Sequence, residues 1–347
     1  MTFGDADDQA LTELVPQGVD VLSGRPLRGR LTRRLPLALQ WSWSAELAGR
    51  IEQAHGLDPF DLAVISHSYA FHYTEGLGDI PRIVDAQNIE SRVYEQFSGL
   101  PRADREKLRR LAGRAGIGFV GAGRTAGQIA ALEREVWRRA SAVACVSAPE
   151  LDQIAAASPA TRTVLAPNSV SHPAAAQGPR RAMTVTFSGS LNYLPNIDAV
   201  VQLAEQVAPR LRTAEPDIRL VVAGAEPAPA LAAYCADHGI ELVANPPVMS
   251  EVVAGTVMAC PVRLVAGTRL KILDARDLGI PVVTTRLAAE GLDLSGDPGI
   301  AVRDDPDGLA GAVLRYLREP EWPPPRRYPA WTETLAPLAG LVRELLG

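Results

Sequence analysis

Cysteine and long apolar runs are scarce in this chain. The three cysteines, Cys145, Cys235 and Cys260, stand far apart and form no CxxC pair. This spacing excludes a disulfide framework and a cysteine metal site, and it indicates buried thiols in a reducing compartment. No apolar run reaches the roughly 18 residues of a membrane span. Met1 is not followed by the basic and then apolar segments of a secretory signal, so we expect a cytoplasmic protein.

The chain also lacks a strong excess of either positive or negative charge. The formal net charge is -5, and acidic and basic residues are interspersed. A nucleic-acid partner is therefore not expected, because it would require a basic face. The basic stretch 102–114 allows peripheral membrane association at most, although such a helix is more often a solvated face. Lysine is nearly absent: Lys107 and Lys271 stand against thirty-three arginines, which draws attention to the motif that contains Lys271.

Short apolar runs alternate with helical patterns along the chain. Strands are predicted at residues 61–66, 81–85, 141–147, 163–167, 183–188, 218–223 and 240–244, and helices at 102–139, 196–212 and 227–238. This alternation predicts an α/β protein with parallel, doubly wound sheets. The Pro/Ala/Gly-rich stretch 171–181 is typical of a linker. We predict an amino-terminal domain over 1–175, a second domain over 176–325 and a closing helix in 326–347, with a ligand crevice at the carboxyl ends of the strands.

Two helix starts carry further predictions. Ser147 and Glu150 have the spacing of a capping box. Small residues at 266–268 lead into a helix predicted to begin near Thr268, whose backbone N–H groups suit a phosphate. Arg269 and Lys271 would lie in its first turn, where cations oppose the helix dipole unless an anion binds. A carboxylate one turn deeper, at Asp274, could accept hydrogen bonds from ribose hydroxyls; a solvated helix start with scattered charges is the alternative.

Residues 267–274 (G-T-R-L-K-I-L-D), with 279–285 and 289–292, resemble the donor-binding segment of glycosyltransferase family 4, in the branch that reads G-T-R-L-K-I-L-E-A. Further resemblance lies, in the family's order, at residues 85–90 (D-A-Q-N-I-E), 167–170, 187–196 and 328–331. The resemblance implies a GT-B fold, in which two Rossmann-like domains face a central cleft. It also implies a retaining transferase that needs no metal and no cofactor, with a nucleotide-diphosphate sugar as its substrate.

The resemblance also assigns roles to residues. Arg269 and Lys271 would be catalytic and hold the diphosphate, and the nucleobase would stack near residues 243–248. Donor binding would further involve Gly189, Ser190, Gly267, Thr268, Leu270 and Asp274. Acceptor-side candidates are His67, Gln87, Asn88 and Glu90. The acceptor class stays open between a glycan, a lipid-linked sugar and a secondary metabolite.

Several positions depart from the family pattern. Gln87 replaces the motif histidine, which contacts the sugar in relatives. His67 or His72 could take over that contact, although either is also consistent with an ordinary loop histidine. Asp274 is one carbon shorter than the usual Glu, and Ala266 stands where many relatives carry a carboxylate. Relatives open with a strand, a Gly-rich loop and a helix. Residues 1–4 of this chain resemble a position that follows this unit in the family's sequence. We expect either a start that lies upstream of Met1 or true loss of this unit.

Two other function classes stay open. Gly121, Gly123 and Ala126 form a G-x-G-x-x-A pattern, which suggests an NAD(P)-dependent oxidoreductase. Against it, the preceding strand is short, and Glu133 falls within the following helix instead of ending a second strand. A GT-B-like protein that assists a separate transferase without catalysing is the third reading.

Overall fold

The computed structural model describes residues 35–170 and 179–347. The predictions for residues 1–4 lie outside the described residues. So do most of the predicted linker 171–181 and the predicted boundary between residues 175 and 176.

The first half of the described chain forms a parallel sheet of four strands in the order β1-β2-β3-β4. The strands are β1 (Ala63–Ser66), β2 (Arg82–Ala86), β3 (Ala142–Cys145) and β4 (Thr163–Leu165). The helices are α1 (Ala45–Leu57), α2 (Glu90–Gly99), α3 (Arg102–Leu111), α4 (Ala122–Arg139) and α5 (Ala148–Ala157). Three 3-10 helices cover Leu37–Ser42, Ser68–Thr74 and Gly113–Phe119. Each step from one strand to the next is a crossover connection, as parallel pairing requires.

The second half forms a parallel sheet of six strands in the order β10-β9-β8-β5-β6-β7. Its strands are β5 (Thr184–Ser188), β6 (Arg219–Gly224), β7 (Glu241–Ala244), β8 (Val257–Cys260), β9 (Val282–Thr284) and β10 (Ile300–Val302). Its helices are α6 (Leu194–Gln202), α7 (Ala208–Ala214), α8 (Pro229–Asp237), α9 (Met249–Val253), α10 (Leu270–Asp277), α11 (Arg286–Ala289) and α12 (Pro306–Arg318). The order reverses beside β5 and β8, which is the switch point where such sheets bind ligands.

The predicted strands and the two parallel sheets are confirmed, and the second sheet shows the reversal of strand order that defines a doubly wound sheet. The helix predicted over 196–212 is present as α6 and α7, joined by a π-helical turn at Leu203–Val207. The helix predicted to begin near Thr268 begins at Leu270, with Arg269 in the N-cap position. Ser147 occupies the N-cap of α5 but makes no capping bond. Its hydroxyl donates instead to the Glu150 carboxylate at 3.1 Å.

The two halves share apolar packing. Tyr94, Phe97 and Leu108 of the first half lie in the same buried cluster as Ile197 and Leu203 of the second. Helix α3 contacts α6 and α8 directly. The ammonium of Lys107 donates to Glu205 at 2.7 Å across this interface, and Arg263 bridges Asp104 and Asp198. The two halves are therefore held together around α3 by both apolar packing and ion pairs.

The end of the chain returns to the first sheet. After α13 (Trp331–Thr334), helix α14 (Ala336–Leu346) buries Leu341 against Ile83 and Ala144. An ion pair holds the start of this return: Arg276 and Asp297 meet at 2.9 Å with both side chains almost fully buried. Arg276 also donates to the Pro324 carbonyl at 2.8 Å. Within the two described ranges, no helix is long and apolar enough to cross a bilayer.

Candidate functional site

The predicted site residues lie where the carboxyl ends of the two sheets approach each other. His67 follows β1, residues 87–90 follow β2, and Gly189 follows β5. The loop from β8 leads into α10 and carries residues 266–269. Side chains after parallel strands gather at one sheet edge, and the two edges meet here.

Glu150 connects the two halves at this point. Its carboxylate accepts the Gly267 N–H at 2.8 Å and the Ile89 N–H at 3.3 Å. A second link runs from the Asn168 amide to the Thr268 hydroxyl at 2.7 Å. Gly267 has a φ of 66°, and a Cβ on it would lie 2.4 Å from the Gln87 carbonyl oxygen. Only glycine allows this approach, so the loop before α10 is held against the segment after β2.

Arg269 is a buried cation with neutral partners. Its residue is 8% exposed. The guanidinium donates to the carbonyl oxygens of Ala288 at 2.8 Å and Glu290 at 2.6 Å. Burial lowers the pKa of Arg269 to about 10, because a low-dielectric environment disfavours the charged form. The guanidinium is held by backbone carbonyls, and the charges of Glu150 and Glu290 act on its pKa in the opposite direction from burial without forming an ion pair in the described part of the chain.

Lys271 lies beside it on the first turn of α10. Its ammonium donates to Asn196 Oδ1 at 2.7 Å and stands 4.2 Å from the centre of the Phe187 ring. Burial lowers the pKa of Lys271 to about 8, and the nearby charge of Arg269 acts in the same direction. Throughout residues 35–170 and 179–347, neither cation forms an ion pair with a carboxylate. Two poorly hydrated cations without an acid make a site that favours an anion.

The loop after β5 closes over Lys271. A Cβ on Gly189 would stand 2.6 Å from the Lys271 ammonium and 2.8 Å from the Asn196 amide nitrogen. Ser190 accepts the Asn196 amide through its carbonyl at 2.8 Å, while its hydroxyl donates to Asn192 Oδ1. Gly189, Ser190 and Lys271 are thus brought together.

Other predicted donor residues lie around the same helix start. Leu270 is 39% exposed, and Asp274 is partly buried in α10, about one turn beyond Leu270. Residues 243–248 include the end of β7 and the loop after it. Gly267 and Thr268 were predicted to offer backbone amides to the donor. The Gly267 N–H already donates to Glu150, so its contact with the donor needs that bond to be exchanged, whereas the Asn168 bond engages only the hydroxyl of Thr268. The roles of these residues stay predictions.

On the acceptor side, three of the four candidates meet. Asn88 donates to Glu90 Oε1 at 2.8 Å, and His67 Nδ1 lies 3.6 Å from the same oxygen. Burial raises the pKa of Glu90 to about 7. The fourth candidate points away, because the Gln87 amide donates to Asp85. His72 pairs with Glu75 at 2.9 Å, which leaves His67 as the histidine next to the motif.

His67 itself has an unusual backbone. Its φ is 66° and its ψ is 140°, a region that residues with a side chain rarely adopt and that is concentrated at functional sites. Its ring stacks on Tyr69 with 5.0 Å between centroids, and Nδ1 is buried without a hydrogen-bond partner. Burial lowers the pKa of His67. The residue is thus held neutral beside Glu90.

A cavity of about 590 Å³ adjoins Glu90. We call it the aromatic cavity, because Trp41, Tyr69, Tyr94, Phe119 and Tyr193 line it together with Glu90 and Arg114. Tyr193 comes from the second half, three residues before Asn196, and the other aromatic residues come from the first half. The cavity therefore lies between the halves, next to both the donor-side loop and the acceptor-side carboxylate.

Several contributors were missed at the sequence level. Glu150 was interpreted as part of a capping box, and its two long-range hydrogen bonds have no local signal. Asn196 and Tyr193 lay inside the segment 187–196 that carried the family resemblance, and Asn168 lay inside 167–170. For these three residues, the family resemblance of the surrounding segment was the signal that the sequence offered.

The G-x-G-x-x-A pattern does not form a dinucleotide-binding turn. A 3-10 helix, Gly113–Phe119, precedes Gly121 where a strand is required. Glu133 is buried in α4 and accepts hydrogen bonds from the Glu90 N–H and the Ser91 hydroxyl, each at 2.6 Å. It therefore holds the start of α2, and burial raises its pKa to about 8. In the part of the chain that the structure describes, no three His, Cys, Asp or Glu side chains form a metal-binding group; metal independence stays a prediction.

Comparisons with known proteins bear on both halves. Residues 182–319 match the family described as Glycosyl transferases group 1. No curated protein gives a significant match. Among solved structures, sucrose-phosphate synthase from Thermosynechococcus elongatus is similar, with a TM-score of 0.62 and 13% identity over 91% of this chain and 80% of that one.

Two further structures are similar. HepE from Anabaena in complex with UDP and glucose has a TM-score of 0.58 and 13% identity, over 99% of this chain and 85% of that one. An α,α-trehalose 6-phosphate synthase from Burkholderia multivorans has a TM-score of 0.55 and 11% identity, over 91% and 74%. At these identities the likeness establishes the fold. The chain therefore has the GT-B fold, and residues 182–319 in its second half match the glycosyl transferases group 1 family.

Proposed function

We propose that the protein transfers a sugar from a nucleotide-diphosphate donor to an acceptor hydroxyl. The observation that carries this proposal is the pair Arg269 and Lys271, two buried cations without a carboxylate partner at the start of α10. The family match over residues 182–319 and the GT-B fold support it. HepE from Anabaena, with the same fold, was crystallised with UDP-glucose.

The chemistry follows from the charges. As the bond between the sugar and the diphosphate breaks, negative charge develops on the leaving oxygen. Donors that are already oriented stabilise such charge at low reorganisation cost. Arg269 is held by two backbone carbonyls and Lys271 by Asn196, so both are oriented before the donor arrives. Protein cations would take the part that a metal plays in other transferases.

We assign the aromatic cavity to the acceptor. Glu90 lies at its wall and, when ionised, would orient the acceptor by accepting a hydrogen bond from a second hydroxyl, so that the attacking hydroxyl keeps its proton for the diphosphate. Among the described site residues, we assign no side chain as a covalent nucleophile. The acceptor would attack from the face of the leaving diphosphate, which takes the proton, and the sugar would keep its anomeric configuration.

A thermal-shift screen with UDP, GDP, dTDP, NAD and NADP tests the donor class. We expect one nucleoside diphosphate to raise the melting temperature, equally with and without EDTA. In the double variant Arg269→Ala/Lys271→Ala that shift should disappear, because two charge-assisted contacts are lost. An unchanged shift in the variant would refute the placement of the site, and a shift with NAD or NADP alone would refute the donor class.

Retention is tested separately, by NMR of the sugar released when the stabilising donor is hydrolysed. The first anomer to appear should match the donor. The inverted anomer would refute the proposed stereochemistry while leaving the donor site intact.

A second candidate is a non-catalytic protein that keeps the donor site. The observation in its favour is that the Gly267 N–H, the Thr268 hydroxyl and the Arg269 guanidinium already have protein partners. Nucleotide binding without donor hydrolysis or transfer would support this alternative. Turnover that disappears in the Arg269→Ala/Lys271→Ala variant would exclude it.

A further inference from the structure

An ion pair between Arg92 and Glu290 joins the two halves of the molecule next to Arg269. Arg92 belongs to α2 of the first half, and Glu290 directly follows α11 of the second half. The Arg92 guanidinium donates to both carboxylate oxygens of Glu290, at 3.0 Å and 3.1 Å. The two side chains are 20% and 31% exposed, so the pair is partly shielded from water.

The backbone of Glu290 is one of the groups that hold Arg269. Arg269 Nη2 donates to the Glu290 carbonyl at 2.6 Å, and Arg269 Nε donates to the Ala288 carbonyl at 2.8 Å. The carboxylate that binds Arg92 and the carbonyl that binds Arg269 therefore belong to the same residue. A displacement of Glu290 that follows the loss of Arg92 would move an acceptor of the buried guanidinium.

The two ends of the segment 286–291 are held by different halves. Just before its start, the Thr285 hydroxyl donates to the Val262 carbonyl at 2.6 Å, within the second half. At its end, Gly291 has a φ of 78°, and a Cβ on it would lie 2.6 Å from the Ser147 Cβ of the first half. The positions of the carbonyl oxygens in this segment therefore depend on how the first half is placed against the second.

The loop on the other side of Arg269 depends on the first half as well. Arg269 Nη1 donates to the Ala266 carbonyl at 3.4 Å, and the neighbouring Gly267 N–H is held by Glu150 at 2.8 Å. Both loops that supply carbonyl acceptors to the buried guanidinium are thus fixed by residues of the first half. Of these residues, Arg92 acts through a side-chain pair whose charges can be exchanged.

We propose that Arg92 is a positioning residue for Arg269. Its ion pair fixes Glu290, and the Glu290 carbonyl directs the guanidinium to the place where charge develops on the leaving diphosphate. The effect on the reaction rests on the transfer function proposed above, whereas the orientation of the Arg269 side chain does not. Arg92 then controls the rate of transfer from the first half without contacting the donor.

Steady-state hydrolysis of the nucleotide-sugar donor by the full chain tests the proposal. Arg92→Met should lower kcat at least tenfold, because a displacement of about 1 Å in a catalytic group can cost about 100-fold. Affinity for the nucleoside diphosphate should stay within about threefold of the wild type. A bound diphosphate can follow a displaced guanidinium, whereas the breaking bond fixes the place where charge develops.

Exchanging the two charges separates positioning from direct contact. Arg92→Glu and Glu290→Arg should each lower kcat at least as much as Arg92→Met, because like charges would then face each other. The double variant Arg92→Glu/Glu290→Arg restores an ion pair and should recover kcat to within about threefold of the wild type. If the Glu290 carboxylate contacted the donor itself, the double variant would stay slow, and the proposal would be overturned.

The ion pair of Lys107 with Glu205 supplies the matched control. It also joins the two halves, at 2.7 Å, and its side chains are 28% and 30% exposed. Lys107→Met therefore removes a link of the same kind from the α3 side of the interface and should keep the wild-type kcat. An equal loss of kcat in Lys107→Met would show that any weakening of the interface slows the reaction, which would remove the specific role of Arg92.

The Nε–H proton of Arg269 gives a measurement that needs no turnover. In protein labelled with ¹⁵N-arginine, Arg269→Lys identifies its NMR signal by loss of the peak. Arg92→Met should speed its exchange with solvent at least tenfold, the charge-exchanged double variant should restore slow exchange, and Lys107→Met should have no effect. A wild type that hydrolyses no donor would refute the proposed function and leave this test intact. Unchanged exchange in Arg92→Met, or an unchanged kcat in an active enzyme, would overturn the role of Arg92.

Discussion

Replacing Lys271 by Met should stabilise the protein and abolish its proposed activity. The ammonium is partly buried, its partners are Asn196 Oδ1 and the Phe187 ring, and it has no acid partner among the described residues. Its pKa falls from 10.5 to about 8. Keeping Lys271 charged in the folded protein therefore costs free energy that a donor diphosphate would recover on binding. Met has a similar length and no charge, so it removes the cost.

The difference between a pKa of 10.5 and one of about 8 corresponds to about 3 kcal/mol. Loss of the hydrogen bond to Asn196 offsets about 1 kcal/mol of this stabilisation. We therefore expect Lys271→Met to raise the free energy of unfolding by about 2 kcal/mol at pH 7. For a chain of 347 residues the melting temperature should rise by about 3 °C.

The pH dependence gives an independent check. Because the folded pKa lies below the unfolded one, the unfolded chain binds the extra proton between pH 8 and pH 10.5. Stability of the wild type therefore gains a rising contribution with pH across that window. The difference in the free energy of unfolding between the wild type and Lys271→Met should be largest below pH 8 and should shrink above it.

Urea denaturation at pH 7 and pH 9.5, without and with the stabilising nucleotide, measures both effects. The nucleotide should stabilise the wild type and leave the variant almost unchanged. Lys271→Arg is the matched control, since it keeps the charge. If Lys271→Met is less stable than the wild type and still binds nucleotide, the reasoning is refuted, because the lysine would then be a structural residue.

Four further outcomes are expected. Gly189→Ala should weaken nucleoside-diphosphate binding about tenfold in calorimetry, because the new Cβ would displace the Lys271 ammonium; unchanged affinity would contradict the close approach. Asp297→Asn should lower the free energy of unfolding by about 3–5 kcal/mol in urea, since it leaves Arg276 buried without its carboxylate; a loss under about 1 kcal/mol would argue against that burial. Nucleotide affinity should fall above about pH 8 as Lys271 loses its proton, and a flat profile from pH 8 to pH 9.5 would count against its role. Transfer should decline as pH falls below about 7, because the pKa of Glu90 is raised to about 7 and its protonated form accepts a hydrogen bond from the acceptor more weakly than the carboxylate does; Glu90→Gln should be slow at every pH, and a wild-type rate in that variant would exclude the contact.

Local patterns in the sequence were enough to predict the strands and the overall class. The alternation of apolar strands and amphipathic helices depends on neighbours within a few residues, and it yielded β1 through β7 close to their observed bounds. Residues 267–274 suggested an anion site for the same reason, since a helix start and its cations are local features, and the family resemblance turned this into the donor-site hypothesis. The start of α10 was misplaced by two residues, because the backbone of Arg269, with a φ of -92° and a ψ of 83°, is not helical.

Contacts between distant parts of the chain followed no such pattern. Glu150 bonds Gly267, which is 117 residues away, and Lys271 bonds Asn196, which is 75 residues away. No local period encodes these pairs. The altered pKa values of Lys271 and Glu90 arise from burial, which depends on how the two sheets are packed together. The order of residues within a segment determines whether the segment forms a helix or a strand. The charge state of a side chain depends instead on the dielectric environment and the charges that folding places around it.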